Sequence, residues 1–134
     1  MSATLDILRA HGDLAGVHMS TYTVSGLHER PGFVRVRPGW SRRREPLPAR
    51  PGEFADVAEV EVTAWAGPFE RDAVDLASTA MTALTGARGV RLPDETTWLR
   101  ATPTSKLCRV VDKHTTQWTH RYAFGIDVAI DLAE

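Results

Sequence analysis

Residues 57–86 read VAEVEVTAWAGPFERDAVDLASTAMTALTG, and within this stretch the apolar period changes once. Up to Ala66, Val60, Val62, Ala64 and Ala66 alternate with Glu59, Glu61, Thr63 and Trp65. Successive side chains of a strand point to opposite faces, so the alternation predicts a half-buried strand. Beyond Gly67 the spacing becomes helical, with Phe69, Ala73, Leu76, Ala77, Ala80, Met81 and Leu84 tracing one apolar stripe. Pro68 in the first turn, Glu70 and Asp72 near the start and Gly86 after the last apolar position punctuate this helix. A strand running directly into a helix that covers its apolar side implies a sheet with a helical layer.

Working outward, HRYAFGIDVAIDLAE at residues 120–134 places Tyr122, Phe124, Ile126, Val128, Ile130 and Leu132 on one face. Arg121, Gly125, Asp127 and Asp131 occupy the other, the period of a second half-buried strand. Leu5, Ile7 and Leu8 predict a short N-terminal helix capped by Ser2 or Thr4 and closed near Gly12. GVHMSTYTV and GFVRVR read as two strands separated by the turn residues SGLHERP. Residues 86–105 hold one short strand near Trp98 to Ala101, or only loop, whereas KLCRVVD reads as a further strand and KHTTQW as a turn or the start of the last strand. The expected architecture is one α+β domain over 1–134: a mostly antiparallel four- to five-stranded sheet with two helices on one face.

Between the strands lies WSRRREPLPARPG, part of a Pro-rich segment expected to form an extended basic loop at about 38–55. Five arginines fall between Arg37 and Arg50 in a chain whose formal net charge is -1. A structureless segment that long inside a small domain is usually functional or disordered. Counterion release from phosphate would reward the arginines, and Trp40 could stack on a base. Against nucleic acid stand the slightly acidic whole and the interruptions at Pro38, Pro46, Pro48 and Pro51. Two other readings are a solvated loop and a docking arm whose arginines meet Glu59 and Glu61 on a neighbouring subunit.

Composition bounds the remaining possibilities. The 134 residues suffice to bury a core without disulfides, and 43% hydrophobic with 25% charged residues is ordinary for a soluble globular protein. No apolar run approaches a membrane span, and the first residues lack the basic and apolar regions of a signal peptide. The single cysteine, Cys108, excludes an intramolecular disulfide and is expected in the core of its apolar strand. His11, His18, His28, His114 and His120 form no zinc-like spacing, and no nucleophile elbow, phosphate loop or dinucleotide fingerprint is present. Glu59 with Glu61, and Asp127 with Asp131, share sheet faces more simply read as solvated, or as an interface with basic partners, than as catalytic. A non-enzymatic protein without metal or cofactor is the expectation.

The succession of a short N-terminal helix, FVRVR, a variable loop, ADVAEVEVTAWAGPFERDAVDLASTAMTAL and a terminal HRYAFGIDVAIDL resembles the tail terminator family of long-tailed bacteriophages, especially those of actinobacterial hosts. Tyr122 stands where that family has an aromatic before its last strand. The resemblance implies a virion structural protein that assembles as a six-membered ring on the head-proximal end of the tail tube. Such a ring stops tube polymerisation and presents a surface to head-completion or connector proteins, close to the DNA path. A ring of heterologous contacts needs two complementary patches per subunit. The candidate assembly residues are Arg35, Arg37, Trp40, Arg42, Arg43, Arg44, Arg50, Glu59 and Glu61. A different neck or tail-tube component, a nucleic-acid-binding protein and a small enzyme are the alternatives.

Overall fold

The computed structural model describes residues 2–21, 32–48, 50–111 and 119–131. Helix α1 (Ser2–Ala10) leads through a 3-10 turn (Gly12–Leu14) into β1 (His18–Ser20), β2 (Phe33–Pro46) and β3 (Phe54–Ala66). Helix α2 (Glu70–Gly86) follows, then β4 (Val90–Arg91), β5 (Thr97–Pro103), β6 (Cys108–Arg109) and β7 (His120–Asp131). The seven strands form one sheet in the order β1-β2-β3-β7-β5-β4, with β6 also on β7. The α+β expectation holds, with more strands than the four or five expected. Every pairing is antiparallel except that of β1 with β2.

Strand β3 is the spine. Its residues from Ala55 to Ala66 pair without interruption with β7, and most of them also pair with β2. Val60, Val62 and Ala64 join Val34, Val36, Phe124, Ile126 and Val128 in the buried layer beneath both helices. From α1 come Leu5, Ile7 and Leu8, and from α2 come Ala77, Ala80, Ala83 and Leu84. The alanine-rich stripe lets α2 lie close to the sheet. Trp98 is fully buried at the end of α2, and its Nε1–H donates 3.1 Å to the carbonyl of Ala87, one of the acceptors a helix C-terminus leaves open.

Several local expectations change. Pro68 precedes the helix rather than opening its first turn: Phe69 is the N-cap, and its N–H donates 3.0 Å to Asp72 Oδ2. Phe69 therefore leaves the apolar stripe and is 60% exposed. Thr4 lies inside α1 instead of capping it, and the side chain of Ser2 lies outside the described residues. Cys108 is exposed, because β6 spans only two residues at the margin of β7. Residues 22–31, 112–118 and Leu132, which carry parts of the expected turn and strand ends, lie outside the described residues.

The largest correction concerns the basic loop. Strand β2 does not stop at Arg37: it runs to Pro46 and pairs with β3 as far as Phe54. A register shift between Pro38 and Arg42 absorbs Gly39, Trp40 and Ser41 as a bulge opposite Glu59. Proline at such positions reads as a loop in sequence, yet among the described residues β2 beyond Arg35 has no strand on its outer side, so Pro38 and Pro46 cost the sheet little. Only residues 47–53 turn, closed by Leu47 N–H to the Glu53 carbonyl at 2.9 Å.

Gly39 fixes the bulge. A Cβ there would stand 2.5 Å from Glu59 Oε1 and 3.0 Å from Glu59 Cβ, which no rotation of the Glu59 tip relieves. Gly39→Ala is expected to lower unfolding free energy in urea by about 1–3 kcal/mol, the range for overpacking. An unchanged urea midpoint would show that the bulge accommodates a side chain.

Candidate assembly surface

The face of the sheet opposite the helices carries the charged residues. The register puts Arg35 beside Thr63 and Arg37 beside Glu61, then Glu61 beside Gly125 and Glu59 beside Asp127. Arg43 lies on the same face and reaches across β3: its Nη2 is 3.0 Å from Asp127 Oδ2 on β7 and 3.0 Å from Glu45 Oε1. Glu45 is in turn 2.6 Å from Arg100 Nη2 on β5. From the turn, Arg50 pairs with Glu53 at 2.9 Å and with Asp131 at the end of β7. Asp127 and Asp131 are mostly covered, at 17% and 8% side-chain exposure, so this face is not simply solvated.

At the other end of this face the arginines are packed. Phe33 and Trp65, both about 1% exposed, stack with ring centroids 5.3 Å apart. The Arg35 and Arg121 guanidiniums lie 5.0 Å and 4.9 Å from the Trp65 ring, a cation–π arrangement on both residues. Burial pulls both guanidiniums below their ordinary pKa, with Arg37 adding repulsion. Glu61, 3.7 Å from Arg35, counters the effect.

Of the residues singled out in sequence, the structure thus brings Arg35, Arg37, Glu59 and Glu61 together within one chain. Arg37, Gly39, Glu59, Glu61, Cys108 and Gly125 line an open cavity of about 470 Å³. Arg42 and Arg44 face the helical side of the hairpin, where Arg42 Nη2 meets Asp56 Oδ2 at 2.8 Å. Arg44 is exposed and makes no ion pair among the described residues. The side chain of Trp40 lies outside the described residues. Among the described residues no group of three or more His, Cys, Asp or Glu could hold a metal, and no helix is long and apolar enough to cross a membrane.

Most of the arginine cluster is therefore engaged inside the chain, and it also charges the open edge of β2 against unwanted strand pairing. Sequence reasoning missed the partners Glu45, Asp56 and Arg100. The signal for Trp65 was present: an aromatic in phase with Glu59 and Glu61 marks a covered patch on an otherwise polar face.

The sequence matches no family model and no curated protein. Its fold is similar to that of a chain in the virion of a native gene transfer agent particle, with a TM-score of 0.53 and 17% sequence identity. The match covers 96% of this chain and 91% of that one, so the likeness is between whole folds.

Two outcomes test the ion-pair network. Arg43→Glu puts a third carboxylate beside Glu45 and Asp127 and should lower Tm, while Arg44→Glu should leave it unchanged; equal effects would discard the network. The second concerns pH. The hydrogen bond from Arg43, reinforced by Arg100, holds the Glu45 carboxyl below its ordinary value of 4.5. Its folded pKa is depressed, so this stabilisation is present above 4.5 and is lost as pH falls through the folded value. Arg43→Met should flatten the fall of Tm in that acid range, and parallel Tm curves for variant and parent would count against it.

Proposed function

We propose that this chain is a structural component of a phage-like virion. In this reading it caps the head-proximal end of a tail tube as a ring, ends tube polymerisation and forms the surface met by the neck proteins. The observation that carries the reading is the whole-fold likeness to a gene transfer agent virion chain, joined to the tail-terminator pattern of the sequence. The physical features suit such a role: the sheet face is rigidified by ion pairs, and two sides of the molecule carry different charged and apolar groups. Its neighbours would be further copies of itself, the tube protein and a head-completion or connector protein, with DNA passing through the lumen.

Within that ring, the nine assembly candidates separate into two roles. Arg35, Arg42, Arg43 and Arg50 shape the subunit through the pairs described above, with Glu61 as the partner of Arg35. Arg37 and Arg44, exposed on opposite faces of β2, supply charge to neighbours, together with Glu59 opposite the bulge, and Trp40 within the bulge is the remaining candidate. A tube or neck subunit is the second reading, favoured by the open edge of β2 between Val36 and Pro46, which suits lateral strand addition.

The deciding experiment adds the purified chain to polymerising tube protein from the same particle and images the products. Short tubes of uniform length with a ring at one end are expected. Tubes that grow unchanged, with none of the chain on their ends, would overturn the terminator reading, and tubes built from the chain itself would establish the second.

A further inference from the structure

The two ends of α2 are complementary to each other. At its start, Phe69 is the most exposed aromatic among the described residues, at 60%. It is nevertheless held in place: its N–H is tied to Asp72, and the Arg71 guanidinium lies 5.6 Å from the ring. An apolar knob that is already ordered gives up little conformational entropy on docking. Of the acidic residues near it, Glu70 is engaged by the Tyr122 hydroxyl and by Arg109 at 3.7 Å, and Asp72 by the Phe69 N–H, whereas Asp75, further along α2, is exposed and makes no ion pair among the described residues.

At the far end of α2, 17 residues and about 25 Å away at 1.5 Å per residue, lies an apolar groove. Ile7 and Ala10 of α1, Ala83, Gly86 and Ala87 at the end of α2, and Val90 of β4 line most of its roughly 400 Å³, with His11 and Thr82 as its polar members. Arg88 and Arg91 flank it, both exposed and neither in an ion pair among the described residues. Knob and groove are matched in apolar character, and Asp75 at the knob end is opposite in charge to Arg88 and Arg91 at the groove.

We propose that Phe69 of one copy seats in the α2 C-terminal groove of a second copy of this chain, with Asp75 of the first copy facing Arg88 and Arg91 of the second. One subunit cannot bring its own two helix ends together, and two unlike patches join either reciprocally across a two-fold axis, with the two α2 helices antiparallel, or head-to-tail; the ring reading selects the second. The contact is therefore head-to-tail and propagates until it closes. This rests on the ring reading above, for which it supplies the subunit contact.

Native mass spectrometry of the parent chain, of Phe69→Ser and of Gly86→Trp tests the contact. Gly86 is exposed, and a Cβ there meets nothing within 4 Å, so a tryptophan fills the groove without disturbing the helix. Far-ultraviolet circular dichroism confirms that both variants fold. The parent is expected to form closed oligomers larger than a dimer, each variant alone is expected to be monomeric, and a parent that stops at a dimer would overturn the head-to-tail contact. An equimolar mixture of the two variants retains one intact knob and one intact groove, and is expected to give a one-to-one heterodimer and nothing larger. Rings that persist in both single variants, or a mixture that stays monomeric while the parent assembles, would overturn the contact and leave the ring reading standing. A parent that is monomeric at every concentration would also overturn the contact, and the ring reading would then fail too if tail tubes recruit no ring.

Discussion

The uninterrupted pairing of β3 with β7 is the constraint on which the rest of the molecule depends. Because side chains alternate along a strand, fixing that register sorts every residue of both strands to one face or the other. A slip of β7 by one residue against β3 would carry Phe124, Ile126 and Val128 out of the core and bring Asp127 and Asp131 in. The apolar layer and the charged layer are thus two outcomes of one backbone arrangement. The cost of burying unpaired carboxylates penalises the slipped register as strongly as the loss of core burial does.

The same register explains the arginines. Taken alone, three consecutive arginines between prolines look like a solvated arm. Once β2 is laid on β3, Arg42, Arg43 and Arg44 point alternately to the two sheet faces, and Arg42 and Arg43 each find a carboxylate placed there by a neighbouring strand. A chain of net charge -1 can in this way carry a strongly basic segment without presenting a strongly basic surface, which weighs against a primary role in gripping phosphate.

How much of this was legible in the sequence follows from how local each signal is. Strands β3 and β7 and helix α2 declare themselves because one buried face leaves an unbroken period of two or of 3.6. Strand β2 fades after Arg37 because both of its faces there are polar, its outer edge is unpaired and Gly39 to Ser41 break the phase. Strand β5 shows only as the short strand offered near Trp98 to Ala101, because the register shift between Trp98 and Arg100 interrupts its period. Strands β4 and β6 are two residues each, too short to show any period, and the expectation of a core Cys108 failed with them. The acidic face residues Asp127 and Asp131 were visible, but not their partners: Arg43 and Arg50 lie more than 80 positions earlier in the chain. Such pairings depend on topology, which no window along the chain contains.

The ion pairs from Arg43 to Asp127 and from Arg50 to Asp131 have a mechanical meaning. The first runs from β2 over β3 to β7 and the second ties the hairpin turn to the end of β7, so together they act as diagonal bracing across three strands. Backbone ladders resist separation of adjacent strands but offer less resistance to longitudinal shear, and it is shear that such diagonals oppose. Half-exposed braces of this kind are screened by ions, with a Debye length that shrinks from about 10 Å at 0.1 M to about 3 Å at 1 M. The sheet therefore has a stiffness set partly by the surrounding electrolyte, firm in dilute buffer and more compliant in brine.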